Sequence, residues 1–260
     1  MKNLQLSPAR LGLLLRNDLQ KFYKPVLYAS LAAIGYIIIE YFAQVSDFLN
    51  QDGGTRIHHN ETFGIILMLG GFVFSSFSFY ELHQKERGIS FLMIPASQLE
   101  KWLSRFILTS GVFTLFIWLL YGLSTIIIGA ITHSVWELPL THFEWFGGDT
   151  LLILRLYLVL QSIFIAGSLF FGRLSILLTP ISLGALALLL FLLATGYARV
   201  LTIGITEGWD LSPKGDYRNS TDFMNTVNFV LKPILQQIFW WTLAPFFWVV
   251  SYFRLTETEK

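Results

Sequence analysis

The chain has 260 residues, of which 54% are hydrophobic and only 13% charged, and its mean hydropathy is +0.58. A soluble globular domain carries about 25% charged residues, so this composition argues against a soluble protein and predicts a polytopic membrane protein. The formal net charge of +1 gives no basis for a nucleic-acid partner, and the lack of cysteine excludes disulfides and thiolate metal sites.

The N-terminal segment, residues 7–23, predicts an amphipathic helix. Ser7 followed by Pro8 is typical of a helix start. The apolar residues of the segment share one helical face and most of the basic residues lie on the other, which favours a helix lying in the membrane interface. An ordinary surface helix has the same pattern. We expect a separate membrane-spanning helix to begin at Pro25.

Six apolar stretches are candidates for crossing a hydrocarbon core of about 30 Å, which takes about 20 helical residues. They cover about residues 25–42, 63–80, 106–131, 151–171, 174–197 and 234–253. Only Gly172 and Arg173 separate the fourth stretch from the fifth, which predicts a tight antiparallel hairpin. The long outer loop, residues 198–233, has apolar ends that suit short or re-entrant helices.

The predicted orientation follows from the basic residues. Most of the 18 Lys and Arg residues flank the spans on the side that carries both termini and the loop 81–105. Basic residues are enriched on the cytoplasmic side of membrane proteins. The sequence therefore predicts that both termini and the loop 81–105 are cytoplasmic.

The loop 81–105 is a polar interruption between the second and third spans. Ser97 and Glu100 match a capping box, and Pro95 prevents the preceding chain from continuing as helix, so a short helix should begin at Ser97 and lead towards the third span. The apolar run Ile89–Ile94 beside charged residues is typical of a docking element for a protein partner. A plain interfacial loop that buries these residues among lipid headgroups fits equally well.

This loop resembles the first cytoplasmic loop of ABC-2-type permeases, the membrane subunits of ATP-binding-cassette exporters. The family's loop has a Glu-Arg-Gly run, a short apolar run, Pro-small-Ser and a charged helix. Here these places are taken by Glu86-Arg87-Gly88, Phe91–Ile94, Pro95-Ala96-Ser97 and Glu100-Lys101. The resemblance implies a coupling helix that docks on a separate ATPase through Glu86, Arg87, Gly88, Phe91, Leu92, Pro95, Ser97, Glu100 and Lys101.

The predicted architecture of an N-terminal amphipathic helix and six spans resembles the same family. This implies an ATP-driven permease subunit, working as a homodimer with two ATPase copies in the lipid bilayer of a bacterial cytoplasmic (inner) membrane. The chain has no Gly-x-x-x-x-Gly-Lys-Ser/Thr phosphate loop, so ATP and Mg would bind to the partner ATPase, and we expect this chain to bind no cofactor and to be no enzyme by itself. The few polar residues in its spans favour export of an amphiphilic or hydrophobic cargo, such as a lipid, drug or peptide.

Two further sets of residues are candidates within the spans. Glu40 and Arg155 both fall in the outer third of the membrane, where they would form an ion pair or each reach the interface separately. The small residues Gly184, Ala185 and Ala187 permit close helix packing and are candidates for a dimer seam or pathway, although a lipid-facing helix fits as well.

No metal site is predicted. His58 and His59 are adjacent loop residues, and the histidines near Glu144 lack the spacing of zinc ligands. Two other functions remain open. A membrane scaffold or regulatory subunit would have the same pattern. An intramembrane enzyme would need a catalytic motif such as Gly-x-Ser-x-Gly or His-Glu-x-x-His, which the chain lacks.

Overall fold

The computed structural model describes residues 6–50, 59–136, 143–206 and 232–258. Every regular element in these ranges is a helix, which confirms the predicted all-α class. The helices are α1 Pro8–Asn50, α2 His59–Ser76, α3 Lys85–Leu92, α4 Gln98–Phe106, α5 Phe113–Trp136, α6 Gly148–Phe171, α7 Ser175–Thr206 and α8 Lys232–Thr258. Single 3-10 turns lie at Tyr80–His83 and Gly172–Leu174, and a π-helical turn at Ile107–Val112 joins α4 to α5.

Helix α1 differs from the prediction because it continues through Pro25. Proline removes one helical hydrogen bond, but contacts on both sides keep the two halves in one helix. Before the proline, Asp18 accepts a hydrogen bond from Ser104. After it, the hydroxyl of Tyr41 lies 3.4 Å from that of Thr132. The predicted interfacial segment and first span are therefore one element, which begins at Pro8.

The hairpin between α6 and α7 has the predicted tight turn. Gly172 ends α6 with φ of +59°, a conformation that glycine adopts without strain. A Cβ at Gly172 would also lie 2.7 Å from the ring of His83, and a Cβ at Gly167 would clash with Thr179 in α7. Glycine therefore allows both the turn and the close approach of the two helices.

Three helical stretches in the described residues are long and apolar enough to cross a membrane: Pro8–Ser46, Gln98–Val135 and Gly148–Gly196. The last contains both arms of the hairpin. Helix α7 extends to Thr206, so residues 200–205 continue it instead of forming a separate short helix. The rest of the predicted outer loop, residues 207–231, lies outside the described residues.

Two apolar clusters hold the helices together. The larger one joins α1, α2, α5 and α6, and its fully buried members include Phe63, Leu67 and Tyr157. The smaller one packs Phe91 of α3 against α6 and α8. The second cluster fixes α3 against the ends of the long helices, so the loop 81–105 is part of the packed structure.

Candidate functional site

Helix α4 begins with the predicted capping box. The backbone N–H of Glu100 donates to Ser97 Oγ at 3.2 Å, and the backbone N–H of Ser97 donates to Glu100 Oε2 at 2.7 Å. These two bonds satisfy donors that a helix start otherwise leaves unpaired. The helix start predicted at Ser97 is thus confirmed.

Glu100 also binds the start of α1. Its Oε1 accepts a hydrogen bond from the backbone N–H of Ser7 at 2.7 Å and lies 3.3 Å from Arg10 Nη2. The carboxylate is completely buried. The structure therefore makes Glu100 a structural link between α1 and α4, and its implied docking role stays a prediction.

A buried arginine lies at the centre of a cluster that we call the charged junction, formed by Asp18, Lys21, Glu81 and Arg105. Arg105 Nη2 lies 3.2 Å from Asp18 Oδ1 and 3.0 Å from Glu81 Oε2. Lys21 Nζ lies 3.3 Å from Glu81 Oε1. Since an unpaired buried charge is costly, this arrangement favours one relative position of α1, α4 and the turn after α2.

Two basic residues of α4 hold Phe91 of α3. Arg105 Cζ lies 5.8 Å from the ring centroid of Phe91 and 5.1 Å from that of Phe22. Lys101 Nζ lies 5.3 Å from the Phe91 centroid and donates to the carbonyl of Leu92 at 3.2 Å. These cation–π contacts attach α3 firmly to α4. Lys101 is buried, and its implied docking role stays a prediction.

The exposed side of α3 and the residue that follows it carry a group that we call the α3 apolar surface, formed by Ile89, Leu92 and Met93. Their side chains are 61%, 42% and 78% exposed, respectively. Among the other implied docking residues, Glu86 and Pro95 are exposed, Ser97 is partly buried, and Gly88 and Phe91 are buried. The side chain of Arg87 lies outside the described ones.

The π-helical turn between α4 and α5 is held by polar side chains of α6. Gln161 Nε2 donates to Thr109 Oγ1 at 2.8 Å, and Tyr157 Oη donates to the carbonyl of Thr109 at 3.1 Å. Gln161 Oε1 accepts from Ser110 Oγ at 3.0 Å. Such turns leave backbone groups without regular helical partners and often mark functional positions. No local pattern in the sequence indicates this cluster, because 48 residues separate Tyr157 from Thr109.

The structure shows the positions of the two candidate sets within the spans but does not test their roles. Glu40 accepts a hydrogen bond from Gln44 Nε2 at 3.2 Å, Arg155 is exposed on α6, and no ion pair in the described residues joins the two. The pair stays a prediction. Gly184, Ala185 and Ala187 are exposed on α7, which suits either a dimer seam or contact with lipid. In the described part of the chain, no group of three or more His, Cys, Asp or Glu side chains could hold a metal ion.

The helices and their apolar stretches indicate the class of helical membrane proteins, with a charged junction at one end of the bundle. Comparisons with known proteins do not narrow this class. No protein-family model, curated protein or solved structure matches the chain.

Proposed function

We propose that this chain is the permease subunit of an ATP-driven transporter of the ABC-2 type. It works as a homodimer with two separate ATPase subunits in a bacterial cytoplasmic membrane, and its cargo is amphiphilic or hydrophobic. The observation that best supports this proposal is the α3 apolar surface, with Ile89 and Met93 more than half exposed on a helix that buried charges hold in place.

The fixed orientation of α3 supports the docking role. Phe91 is 5% exposed and is held by Lys101 and Arg105, while Ile89 on the same helix and Met93 directly after it are exposed. A partner that pushes or pulls on α3 would therefore also move α4, which continues through the π-helical turn into α5. This arrangement would transmit a movement of the ATPase into the membrane.

The proposed topology has six spans and both termini in the cytoplasm. The spans are α1, α2, α4 with α5, α6, α7 and α8. Helix α2 has 18 residues and α8 has 27, which gives lengths of about 27 and 40 Å at 1.5 Å per residue. Both lengths are compatible with a hydrocarbon core of about 30 Å.

Docking is tested by co-expressing the chain with candidate ABC ATPases from the same organism and measuring co-purification. We expect Ile89→Asp and Met93→Asp to reduce ATPase binding at least tenfold, because each places a charge in a buried apolar contact. Phe146→Asp is the matched control. Phe146 is 75% exposed and lies two residues before α6 begins, at the opposite end of that helix from the Gly172 turn. Normal ATPase binding by both α3 variants would contradict the proposal.

Orientation is tested with single cysteines, which the cysteine-free chain allows. In intact cells, a membrane-impermeant maleimide should label Met93→Cys only after the membrane is opened. Phe146→Cys should be labelled from outside. The reverse pattern would place α3 on the outer face and exclude contact with a cytoplasmic ATPase.

An activity measurement distinguishes a transporter from a passive membrane scaffold. In a transporter, an amphiphilic cargo should raise the ATPase activity of the purified complex.

A further inference from the structure

A large groove lies between α1, α2, α3 and α5. Its volume is about 1170 Å³, slightly above the range of about 300–1,000 Å³ that is usual for small-molecule sites. Its wall is apolar over most of its length. The small residues Ala29, Ala32, Ala33 and Gly70 give it depth, because they leave space between the larger side chains of α1 and α2.

The length of the groove suits a hydrocarbon chain. Along α1 it extends from Asn17 to Tyr36, which is about 28 Å at 1.5 Å per residue. This exceeds the depth of one leaflet, about half of the 30 Å hydrocarbon core. A protein helix is about 10 Å in diameter. An acyl chain is much thinner and fits.

Charged side chains line the groove at one end only, where Lys21 and Glu81 lie beside Asn17 and Ser90. Lys21 is 40% exposed and lies 3.3 Å from Glu81 Oε1. Glu81 also receives Arg105 at 3.0 Å, so its charge stays paired when Lys21 turns away. An ammonium group has three donors and no acceptor, and Lys21 can therefore donate to an added anion.

The charge around this end is positive. The carboxylates of Asp18 and Glu81 are both paired with the buried Arg105. Lys21 adds a cation, and Lys24 is exposed three positions further along α1. A cluster of cations raises the local concentration of anions. The groove thus combines a long apolar wall with a cationic mouth.

We propose that this groove is a binding site for a phosphate-bearing amphiphile, with one acyl chain between α1, α2 and α5 and the phosphate at Lys21. One copy of the protein supplies all the residues that line the site. Its occupancy needs neither an ATPase nor a second copy, so it can be present or absent whether or not the chain is a permease subunit.

The test uses the purified full chain in vesicles of phosphatidylcholine that contain a trace of lipid with a photoreactive diazirine in its acyl chain. One preparation contains photoreactive phosphatidylglycerol and the other photoreactive phosphatidylcholine. After illumination, labelled peptides are identified by mass spectrometry. We expect the anionic probe to label residues 29–36 and 65–74 at least fivefold more than the neutral probe does. The exposed segment 186–193 of α7 is the reference for bulk lipid and should show no such preference.

Two pairs of variants test the binding of the acyl chain and the binding of the headgroup separately. Ala29→Trp fills the groove and should reduce its labelling by both probes, whereas Leu31→Trp, on the same helix but outside the groove, should not. Lys21→Gln should remove the preference for the anionic probe, and Arg16→Gln should keep it. Circular dichroism checks that each variant folds. If Ala29→Trp does not fold, Ala32→Cys is modified with a bulky maleimide after purification and gives the same readout.

Three results would overturn the proposal. If neither probe labels the groove more strongly than α7, the groove contacts only bulk lipid. An unchanged anionic preference in Lys21→Gln would remove the assigned phosphate site. Disulfide formation between two copies of Ala32→Cys in the membrane, together with weak labelling of the groove, would assign the groove to a second copy of the chain.

Discussion

Arg105 in α4 lies 3.2 Å from Asp18 in α1 and 3.0 Å from Glu81 in the turn after α2. Its side chain is 2% exposed. Three segments that are distant in sequence therefore share one buried guanidinium group. An arginine suits this position because its guanidinium group keeps its charge when buried.

Removing this arginine should destabilise the protein strongly. Arg105→Met leaves Asp18 buried without its cation, and breaking a buried pair from one side costs about 3–5 kcal/mol. Adding Asp18→Asn should restore part of the loss, because the uncompensated charge is gone. Thermal unfolding in detergent measures both effects. Arg16→Gln, an exposed change on α1, is the control and should leave the midpoint unchanged. An unchanged midpoint in Arg105→Met would show that the charged junction contributes nothing to stability.

Glu100 and Glu86 should respond differently to the same substitution. Glu100→Gln weakens two backbone hydrogen bonds at a completely buried carboxylate and removes its attraction to Arg10. We expect a loss of about 1–3 kcal/mol in the free energy of unfolding. Glu86→Gln, at an exposed position of α3, should change it by less than about 0.5 kcal/mol. Equal effects in chemical unfolding experiments would contradict the structural role of Glu100.

Gly71 is predicted to be intolerant of a side chain. A Cβ at this position would clash with the ring of Tyr157, and such overpacking costs about 1–3 kcal/mol. Gly35→Ala is the control, because a Cβ there meets nothing within 4 Å, and alanine stabilises a helix interior by about 0.5–1 kcal/mol over glycine. Thermal midpoints should fall for Gly71→Ala and rise or stay constant for Gly35→Ala. A smaller residue at Tyr157 should reduce the penalty of Gly71→Ala.

The predicted pair of Glu40 and Arg155 has a charge-exchange test. Each single change, Glu40→Arg or Arg155→Glu, should lower the yield of folded protein if the two side chains meet in the membrane. The double variant should recover it, because the opposite charges are restored. Gel filtration of the detergent-solubilised protein measures the yield. No recovery would mean that each side chain reaches the interface separately.

Local features were predicted from the sequence because their causes lie within a few residues. The capping box needs only Ser97 and Glu100, three positions apart, and the hairpin needs only the freedom of Gly172. The all-helical class follows from the length and apolar character of the stretches. Pro25 shows the limit of such reasoning. A local rule predicted a break there, and contacts of α1 on both sides of the proline kept the helix continuous.

The sequence by itself determined an apolar, helical chain whose polar loop starts a capped helix at Ser97, because hydropathy and capping act over short distances. The tertiary structure decided which residues of that loop are exposed. Glu100 is buried against Ser7, which lies 93 residues away in the sequence, and Arg105 is buried against partners from α1 and the turn after α2. Partners so distant in sequence have no local pattern, so only the packing of the helices could identify the charged junction, the α3 apolar surface and the groove.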